Sequence, residues 1–339
     1  MRPDTAGMHP LLRASAERHL GLFTAADARR AGYQHAEIRR LCTSGAWVRL
    51  RRGVYMTADA LAAVEEGQRR HHVDCLAVLL LLNRPTVAIS HESAARLWGF
   101  PLRKRPLAPV RLTDPTLSRQ GRGYTITQAP LRTGEVMRSG PLRLTSAVRT
   151  LLDCARQWPL DDAVVALDAA LLFGKVTPRE LTDGVIALTT WPHAARAARA
   201  VALADGRAES PLETRGRLRI VGAELPAPEL QVEIGAGGRL IAVVDAWFEA
   251  SAVAVEFDGR VKYTDPWRGR SPERVLWEEK RREDELRALD IRVVRVAEED
   301  LGAPWPMLES RLRVLLAAPG PAIRRFTATP RVVGVRRTS

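Results

Sequence analysis

The sequence predicts a multidomain α+β protein. Its 339 residues are enough for two or three domains of ordinary size. Helix-like segments and a short basic hairpin come first, whereas apolar strand-like segments around one charged helix come last. We therefore expect a winged helix-turn-helix over residues 1–70, a mainly helical domain over 71–204, an α/β domain over 205–318 and a basic flexible tail over 319–339.

The charge balance indicates a polyanionic partner. The chain carries 52 Lys and Arg against 39 Asp and Glu, which gives a net charge of +13. Nucleic acid is the first candidate for the partner of such a chain. Because most of the basic residues are Arg and the chain is also rich in Ala, a GC-rich genome is an alternative explanation for part of this composition.

The composition also excludes several classes of protein. The three cysteines lie far apart and form no CxxC pair, which excludes a disulfide scaffold and a zinc ribbon and indicates a reducing cytoplasm. The longest apolar run, Cys75–Leu82, is too short to cross a membrane, and the N-terminus lacks the apolar core of a signal peptide. No P-loop glycine pattern occurs. We therefore expect a cytoplasmic protein with no membrane anchor and no nucleotide cofactor.

The first 70 residues follow the order of a winged helix. Thr24 and Asp27 have the spacing of a capping box, and Gly32, Gly45 and Gly53 end successive elements. The expected elements are three helices and one β-hairpin, over Leu11–Leu20, Ala25–Ala31, Gln34–Ser44 and Trp47–Tyr55.

Basic and polar side chains of this region are candidates for DNA contacts. The third helix places Ile38 inside, so its outward side chains can reach base edges in the major groove. A basic hairpin can reach phosphates, which supplies affinity more than sequence choice. The candidates are Gln34, His35, Arg39, Arg40, Arg49, Arg51 and Arg52. A winged helix used for protein contacts and a plain helical subdomain are the alternatives.

These residues carry a resemblance to a known family. The segments Gly21–Thr24, Ile38–Leu41 and Arg51–Tyr55 resemble the N-terminal winged helix of AbiEi-type antitoxins of type IV toxin–antitoxin systems. The stretch Leu144–Leu181 resembles the helical part that follows it in these antitoxins. The resemblance implies binding to double-stranded DNA, repression of transcription and a cognate toxin as a second partner.

The middle of the chain shows no catalytic constellation. Ser90, His91 and Glu92 are the residue types of a hydrolase triad, but neighbours on one helix point in different directions. We expect Ser90 to cap the helix that follows. Residues 110–127 are expected to form short strands.

Acidic residues converge in the C-terminal region. A helix opens at Ser210 and Pro211, and strands are expected at Leu230–Ile234, Leu240–Trp247 and Ala252–Gly259. Glu256 and Asp258 lie two residues apart on one strand face, and hairpin pairing brings Asp245 close to them. Carboxylates beside apolar strands suit a hard divalent cation such as Mg²⁺ or Mn²⁺. A turn signal from Asp258–Gly259 is the alternative explanation for part of this pattern.

A charged helix over Glu273–Leu289 and a strand over Ile291–Val296 follow. With these elements, residues 209–301 resemble the PD-(D/E)XK nuclease fold, specifically the Vsr-like endonucleases. The resemblance implies metal ligands at Glu213 (or Glu209), Asp245 and Glu256. Asp258 stands where the family has a lysine that polarises water, which leaves Lys262 or Lys280 to supply the positive charge.

Two functions follow from the sequence. The first is metal-dependent hydrolysis of DNA by the residues Glu213, Asp245, Glu256, Asp258 and Lys262. The second is an antitoxin-type repressor whose nuclease fold is inactive. The remaining basic residues could line a DNA groove: Arg215, Arg217, Arg219, Arg281, Arg282 and Arg287. A solvated helix face with internal ion pairs is the alternative for the second set, Arg281, Arg282 and Arg287.

Overall fold

The computed structural model describes residues 8–102, 109–259 and 272–331. The chain forms two compact units, residues 1–157 and 158–339. Helices and mixed or antiparallel sheets occur in both units, so the predicted multidomain α+β organisation is confirmed. The predicted domain boundaries at residues 70, 204 and 318 stay predictions.

The first unit begins with a winged-helix arrangement. Its elements are α1 (Pro10–Arg18), β1 (Phe23–Thr24), α2 (Ala25–Arg30), α3 (His35–Thr43), β2 (Trp47–Arg51), β3 (Val54–Thr57) and α4 (Ala58–Glu66). The strands form an antiparallel sheet of order β1-β3-β2. Leu12, Phe23, Ile38 and Trp47 form the core between helices and sheet, with the rings of Phe23 and Trp47 packed edge to face. Each predicted element of this region is present within a few residues.

A six-stranded mixed sheet follows in the same unit. The remaining elements are α5 (Arg70–Leu82), β4 (Ala88–Ile89), α6 (His91–Trp98), β5 (Val110–Asp114), β6 (Arg119–Gly121), β7 (Tyr124–Gln128), β8 (Val136–Ser139), β9 (Leu142–Thr145) and α7 (Ala147–Gln157). The sheet has the order β6-β7-β5-β4-β9-β8 and buries Leu112, Ile126 and Leu144 against α5.

The prediction of one mainly helical domain over 71–204 therefore needs correction. The helices are present, but strands cross residues 88–145 and the segment contributes to both units. The strands are two to five residues long, which is too short for a sequence period to separate them from loops. The prediction for Ser90 also needs correction, because it stands at the N-cap of α6 without a capping hydrogen bond from its side chain.

The described residues of the second unit form six α-helices and a five-stranded sheet. Its elements are α8 (Leu160–Leu172), α9 (Pro178–Ala187), α10 (Ala194–Ala202), α11 (Pro211–Gly222), β10 (Glu229–Ala236), β11 (Arg239–Phe248), β12 (Val253–Asp258), α12 (Pro272–Ala288), β13 (Arg292–Ala297), α13 (Trp305–Ala317) and β14 (Thr327–Pro330). The sheet has the order β13-β12-β11-β10-β14, in which β12 and β13 are parallel and the other neighbours antiparallel.

The order α11-β10-β11-β12-α12-β13 positions the acidic residues. The chain crosses from β12 to the parallel strand β13 through α12, as a parallel connection requires. Asp258 and Gly259 thus end β12 without leading to an adjacent antiparallel strand within the described sheet, so the alternative of a hairpin turn there is wrong. Val255 and Phe257 pack into the core of this unit.

The segment after residue 318 is not a free tail throughout. Residues 327–330 form β14 and pair with β10, which covers that edge of the sheet. The backbone N–H of Arg331 continues this pairing by donating to the carbonyl of Gln231. The prediction of a flexible tail is therefore wrong for this part, while residues 332–339 lie outside the described residues. No helix in the described ranges combines the length and apolar character needed to cross a membrane.

Candidate nucleic-acid interface and acidic cluster

The surface of α3 presents the predicted contact residues to solvent. Gln34, His35, Arg39 and Arg40 are exposed, whereas Ile38 is buried on the opposite side of the helix. Gly45, the residue after the C-cap Ser44, takes a positive φ of 79°, so the chain turns there between α3 and β2. The helix therefore offers one continuous polar and basic face.

The hairpin of β2 and β3 adds cations beside this helix. Gly53 has a φ of 73°, which permits the tight turn between the strands. Arg49 and Arg52 are exposed. Arg51 is half-buried, with Nη1 donating to the carbonyl of Leu50 at 3.2 Å and the guanidinium lying against Gly123. Two of the three predicted wing arginines are thus free to reach a phosphate without a rearrangement.

A capping box fixes the start of α2. The hydroxyl of Thr24 accepts from the backbone N–H of Asp27 at 3.1 Å, and the Asp27 carboxylate accepts from the backbone N–H of Thr24 at 2.8 Å. Burial raises the pKa of Asp27, but hydrogen bonds from Thr24 and the charge of Arg30 outweigh it and lower the pKa below its usual range. The predicted pair therefore stabilises the entry to the helix-turn-helix.

The acidic cluster of the second unit begins with Glu213 on α11. The side chain of Ser210 caps this helix by accepting from the N–H of Glu213 at 3.2 Å. Glu213 is 7% exposed, and its Oε2 accepts from the N–H of Glu209 at 2.8 Å and from Nε2 of Gln231 at 3.0 Å. Burial raises the pKa of Glu213 despite these hydrogen bonds.

Gln231 and Asp245 connect Glu213 to the sheet. Leu230 pairs with Ala246 and Val232 with Val244, so that Gln231 of β10 lies opposite Asp245 of β11. Nε2 of Gln231 lies 3.5 Å from Oδ1 of Asp245, whose Oδ2 accepts from the backbone N–H of Phe257 at 2.7 Å. The expectation that hairpin pairing brings Asp245 close to β12 is therefore confirmed. Gln231 was not predicted, because nothing local marks a glutamine within a strand as a contact residue.

The two acids of β12 face arginines. Glu256 is 6% exposed, with Oε2 3.6 Å from Nη2 of Arg282 and 4.0 Å from Nε of Arg295. Arg295 also reaches Asp258, with 3.4 Å between Nη1 and Oδ2. Burial raises the pKa of Glu256; Arg282 and Arg295 oppose this, and Asp245 and Asp258 reinforce it. Arg295 takes this place because parallel pairing puts it beside Glu256.

Of the other residues predicted for this site, Glu209 and Lys280 do not join the acidic cluster in the described part of the chain. Glu209 faces Arg331, with 2.6 Å between Oε1 and Nη2, so that Glu213 is the glutamate of α11 that joins the cluster. Lys262 lies outside the described residues, and Lys280 is exposed on α12. Within the described ranges, no group of three His, Cys, Asp or Glu side chains could hold a metal ion.

Several of the remaining arginines make ion pairs. Arg217 is buried and donates to Asp168 at 2.9 Å, so it cannot line a DNA groove as the sequence suggested. Arg215 lies 3.6 Å from Glu298, and Arg281 lies 3.2 Å from Glu285. Arg287 pairs with Glu283, whereas Arg219 is exposed. For Arg281 and Arg287, whose partners lie four residues away on α12, the alternative of a helix face with internal ion pairs is favoured.

The winged-helix region matches a known protein family. Residues 10–58 match the family described as "Transcriptional regulator, AbiEi antitoxin". This range spans α1 to β3, so the chain carries a DNA-binding domain of the AbiEi antitoxin type. The N-terminal part of the resemblance seen in the sequence is confirmed. The nuclease resemblance of the C-terminal part has no such match among these comparisons.

Relatives in Mycobacterium tuberculosis extend the comparison beyond this domain. The uncharacterized proteins MT2308 and Rv2248, from two strains, are each 30% identical to this chain over 212 residues, which cover 60% of the chain and 71% of the relative. The chain belongs to the family of these proteins. The crystal structure of the Rv2827c protein from the same organism is similar at 14% identity and a TM-score of 0.40, covering 60% of this chain and 78% of that one.

Proposed function

We propose that the chain is an AbiEi antitoxin-type transcriptional repressor that binds double-stranded DNA through α3 and the β2–β3 hairpin. The main support is that residues 10–58 match the AbiEi antitoxin family of transcriptional regulators. These residues form the winged helix with its exposed basic surface. A cognate toxin encoded by a neighbouring gene is part of the proposal.

The side chains of the interface have different roles in this proposal. His35, Arg39 and Arg40 project from α3, the element that enters the major groove in winged helices, and contact base edges. Arg49 and Arg52 of the hairpin contact phosphates. The net charge of +13 attracts the duplex over a longer range.

Binding of labelled duplexes tests this division of roles. The probes are the DNA upstream of the protein's own gene and a scrambled duplex of equal length, each titrated at several salt concentrations. Arg39→Ala should cost about 1–3 kcal/mol on the upstream probe and reduce the preference over the scrambled probe. Arg49→Ala with Arg52→Ala should weaken binding to both probes and lower the salt dependence.

Arg179→Ala is the matched control, because Arg179 is an exposed helix arginine of the second unit, 3.7 Å from Asp183. Equal affinities of the wild type, the α3 variant and the hairpin variant would refute the proposed interface. Binding without any preference for the upstream probe would refute repression of the protein's own promoter.

A second candidate function is metal-dependent hydrolysis of DNA phosphodiester bonds. The order α11-β10-β11-β12-α12-β13 favours it, because Glu213, Asp245 and Glu256 come from the three elements that carry the acids in the nuclease fold. Their carboxylate oxygens are the ligand type for Mg²⁺ or Mn²⁺. As arranged, however, Glu213 is held by Gln231 and Glu256 faces two arginines, so the described residues do not fit a metal.

Cleavage of plasmid and linear DNA with Mg²⁺ or Mn²⁺ tests this second candidate. Nicking by the wild type that is lost in Asp245→Ala and Glu256→Gln would establish the enzyme. Binding to duplex DNA without cleavage of either substrate would favour the repressor with an inactive nuclease fold.

A further inference from the structure

An arginine-lined cleft lies in the second unit, apart from the acidic cluster. It has a volume of about 1080 Å³ and is lined by the end of α12, the start of β13, α13 and the segment 319–325. Val253 pairs with Arg292 and Glu256 with Arg295. Arg292, which lines the cleft, therefore lies three residues before Arg295, the residue of β13 that faces the acidic cluster. Three residues along a strand correspond to about 10 Å.

The cleft has an excess of positive charge. Arg287, Arg292, Arg311 and Arg325 line it, and Asp290 is the acid among its lining residues. Arg325 lies 3.4 Å from Asp290, and Arg287 pairs with Glu283. Arg311 is exposed and has no ion-pair partner among the described residues. Like charges gathered in one concave surface repel one another, so an anion that enters the cleft relieves this repulsion.

Arg292 has a structural role in the cleft. Its Nη2 donates to the carbonyls of Ser251, Ala318 and Pro319, the last two at 2.9 and 3.2 Å. These contacts attach the segment after α13 to the β11–β12 turn. The contacts of Arg292 thus fix the backbone that lines the cleft. Arg287 and Arg311, which also line it, have exposed guanidinium groups.

Apolar side chains lie between these cations. Ile323 is 79% exposed, and Leu315 is half-buried beside Arg311 on α13. A nucleic-acid backbone alternates anionic phosphates with apolar sugar faces, which matches a surface of arginines and aliphatic groups. An isolated phosphate ion would make no use of the apolar side chains.

We propose that this cleft binds the sugar–phosphate backbone of the DNA that the winged helix recognises. The inference rests on the proposed function, because it gives the second unit a contact with the same ligand. Arg287 and Arg311 contact phosphates and Ile323 packs against a sugar. Such contacts carry no sequence information, and they increase affinity because the two contacting surfaces belong to one chain.

The experiment compares two double variants of the full chain. Arg287→Ala with Arg311→Ala removes two cations of the cleft without touching the contacts of Arg292. Arg179→Ala with Arg199→Ala is the matched control, since both are exposed helix arginines of the same unit outside the cleft. The probe is a fluorescent duplex, titrated by anisotropy between about 50 and 200 mM NaCl.

The cleft variant should lower the slope of log Kobs against log salt by about 2 relative to the control variant. The cleft substitutions should lower this slope by the same amount in a protein that already carries the hairpin substitutions Arg49→Ala and Arg52→Ala. Identical binding by the cleft and control variants would overturn the proposal. Circular dichroism melting curves of both variants identify any loss that comes from unfolding.

The two proposals can fail separately. Weaker binding on hairpin substitution with an unaffected cleft variant would leave the proposed function standing and refute the cleft. The reverse result would refute the hairpin interface and support the cleft. A labelled poly-glutamate peptide is the second probe. If Arg311→Ala abolishes binding of this peptide and leaves duplex binding unchanged, the partner of the cleft is an acidic protein and the proposal of DNA is refuted.

Discussion

The side-chain amide of Gln231 donates to Oε2 of Glu213 across 3.0 Å and thereby joins strand β10 to helix α11. Both residues are buried, with exposed fractions of 4% and 7%. The carbonyl oxygen of the same amide lies 3.3 Å from Nη1 of Arg331. Gln231 also has a φ of 54°, which is uncommon for a non-glycine residue, and the contacts of its side chain help to hold the strand in this conformation.

Replacing Gln231 with Leu should destabilise the second unit by about 1–3 kcal/mol, because Glu213 then loses a buried hydrogen-bond donor. Urea unfolding followed by hydrogen exchange at α11 measures the loss locally. Gln120→Leu is the control, since Gln120 is exposed on β6. An equal effect of the two substitutions would show that the amide does not stabilise Glu213.

Gly216 provides a second test of how α11 packs. A Cβ at this position would lie 1.9 Å from Cε1 of Phe257 on β12, whereas a Cβ at Gly222 on the same helix meets nothing within 4 Å. Gly216→Ala should therefore destabilise the second unit by about 1–3 kcal/mol through overpacking. Gly222→Ala should be neutral or slightly stabilising. Thermal unfolding of the two variants checks the sign, and a stable Gly216→Ala variant would contradict this close packing.

Features set by neighbouring residues could be predicted from the sequence. The Thr24–Asp27 capping box, the glycine stops at Gly45 and Gly53 and the buried side of α3 each depend on a few consecutive residues. The same holds for strands β10 to β13, because their apolar runs are bounded by turns and charged segments. The winged helix and the order of the C-terminal elements therefore followed from local patterns.

Features set by distant residues could not be predicted. Arg295 faces Glu256 because of parallel pairing, and β14 joins β10 from about a hundred residues further along the chain. Gly216 needs to be small because of Phe257, a residue on another element. In the candidate site, these contacts determine which acids meet each other and which meet arginines.

Asp114 should make the first unit sensitive to acid. Its carboxylate is fully buried and accepts from Oγ1 of Thr86 at 2.6 Å and from the N–H of Thr116 at 2.9 Å, with Nη2 of Arg84 at 3.3 Å. Burial alone would raise the pKa of Asp114, but these hydrogen bonds hold it at about 2.

The unfolded chain therefore binds more protons at Asp114 than the folded chain between about pH 4 and pH 2. This contribution to stability, about 2 kcal/mol, is complete above pH 4 and is lost as the pH falls through 2. Asp114→Asn should be less stable than the wild type at pH 7 and approach it near pH 2, as urea unfolding at both pH values can measure. A constant difference would show that the charge of Asp114 is not the stabilising feature.

His91 should have an effect of its own at higher pH. Its Nδ1 lies 2.8 Å from Oγ of Ser90, which accepts from Oγ1 of Thr113 at 2.8 Å, and its Nε2 is buried without a hydrogen-bond partner among the described residues. Burial is the main cause that lowers the pKa of His91 to about 4; Asp153 opposes it, and Arg111, Arg156 and Arg149 reinforce it. The folded chain therefore keeps this imidazole neutral.

Between about pH 6.5 and pH 4, His91 is protonated in the unfolded chain and neutral in the folded chain. The first unit should therefore lose stability as the pH falls through this window. Asn is the replacement of choice, because His91 has a φ of 51°, a conformation that Asn tolerates better than most residues. The stability of His91→Asn should change less than that of the wild type across this window, as unfolding in urea at several pH values can measure. Parallel curves for the two proteins would show that the folded and unfolded chains bind equal numbers of protons at His91 in this window, so that burial does not lower its pKa.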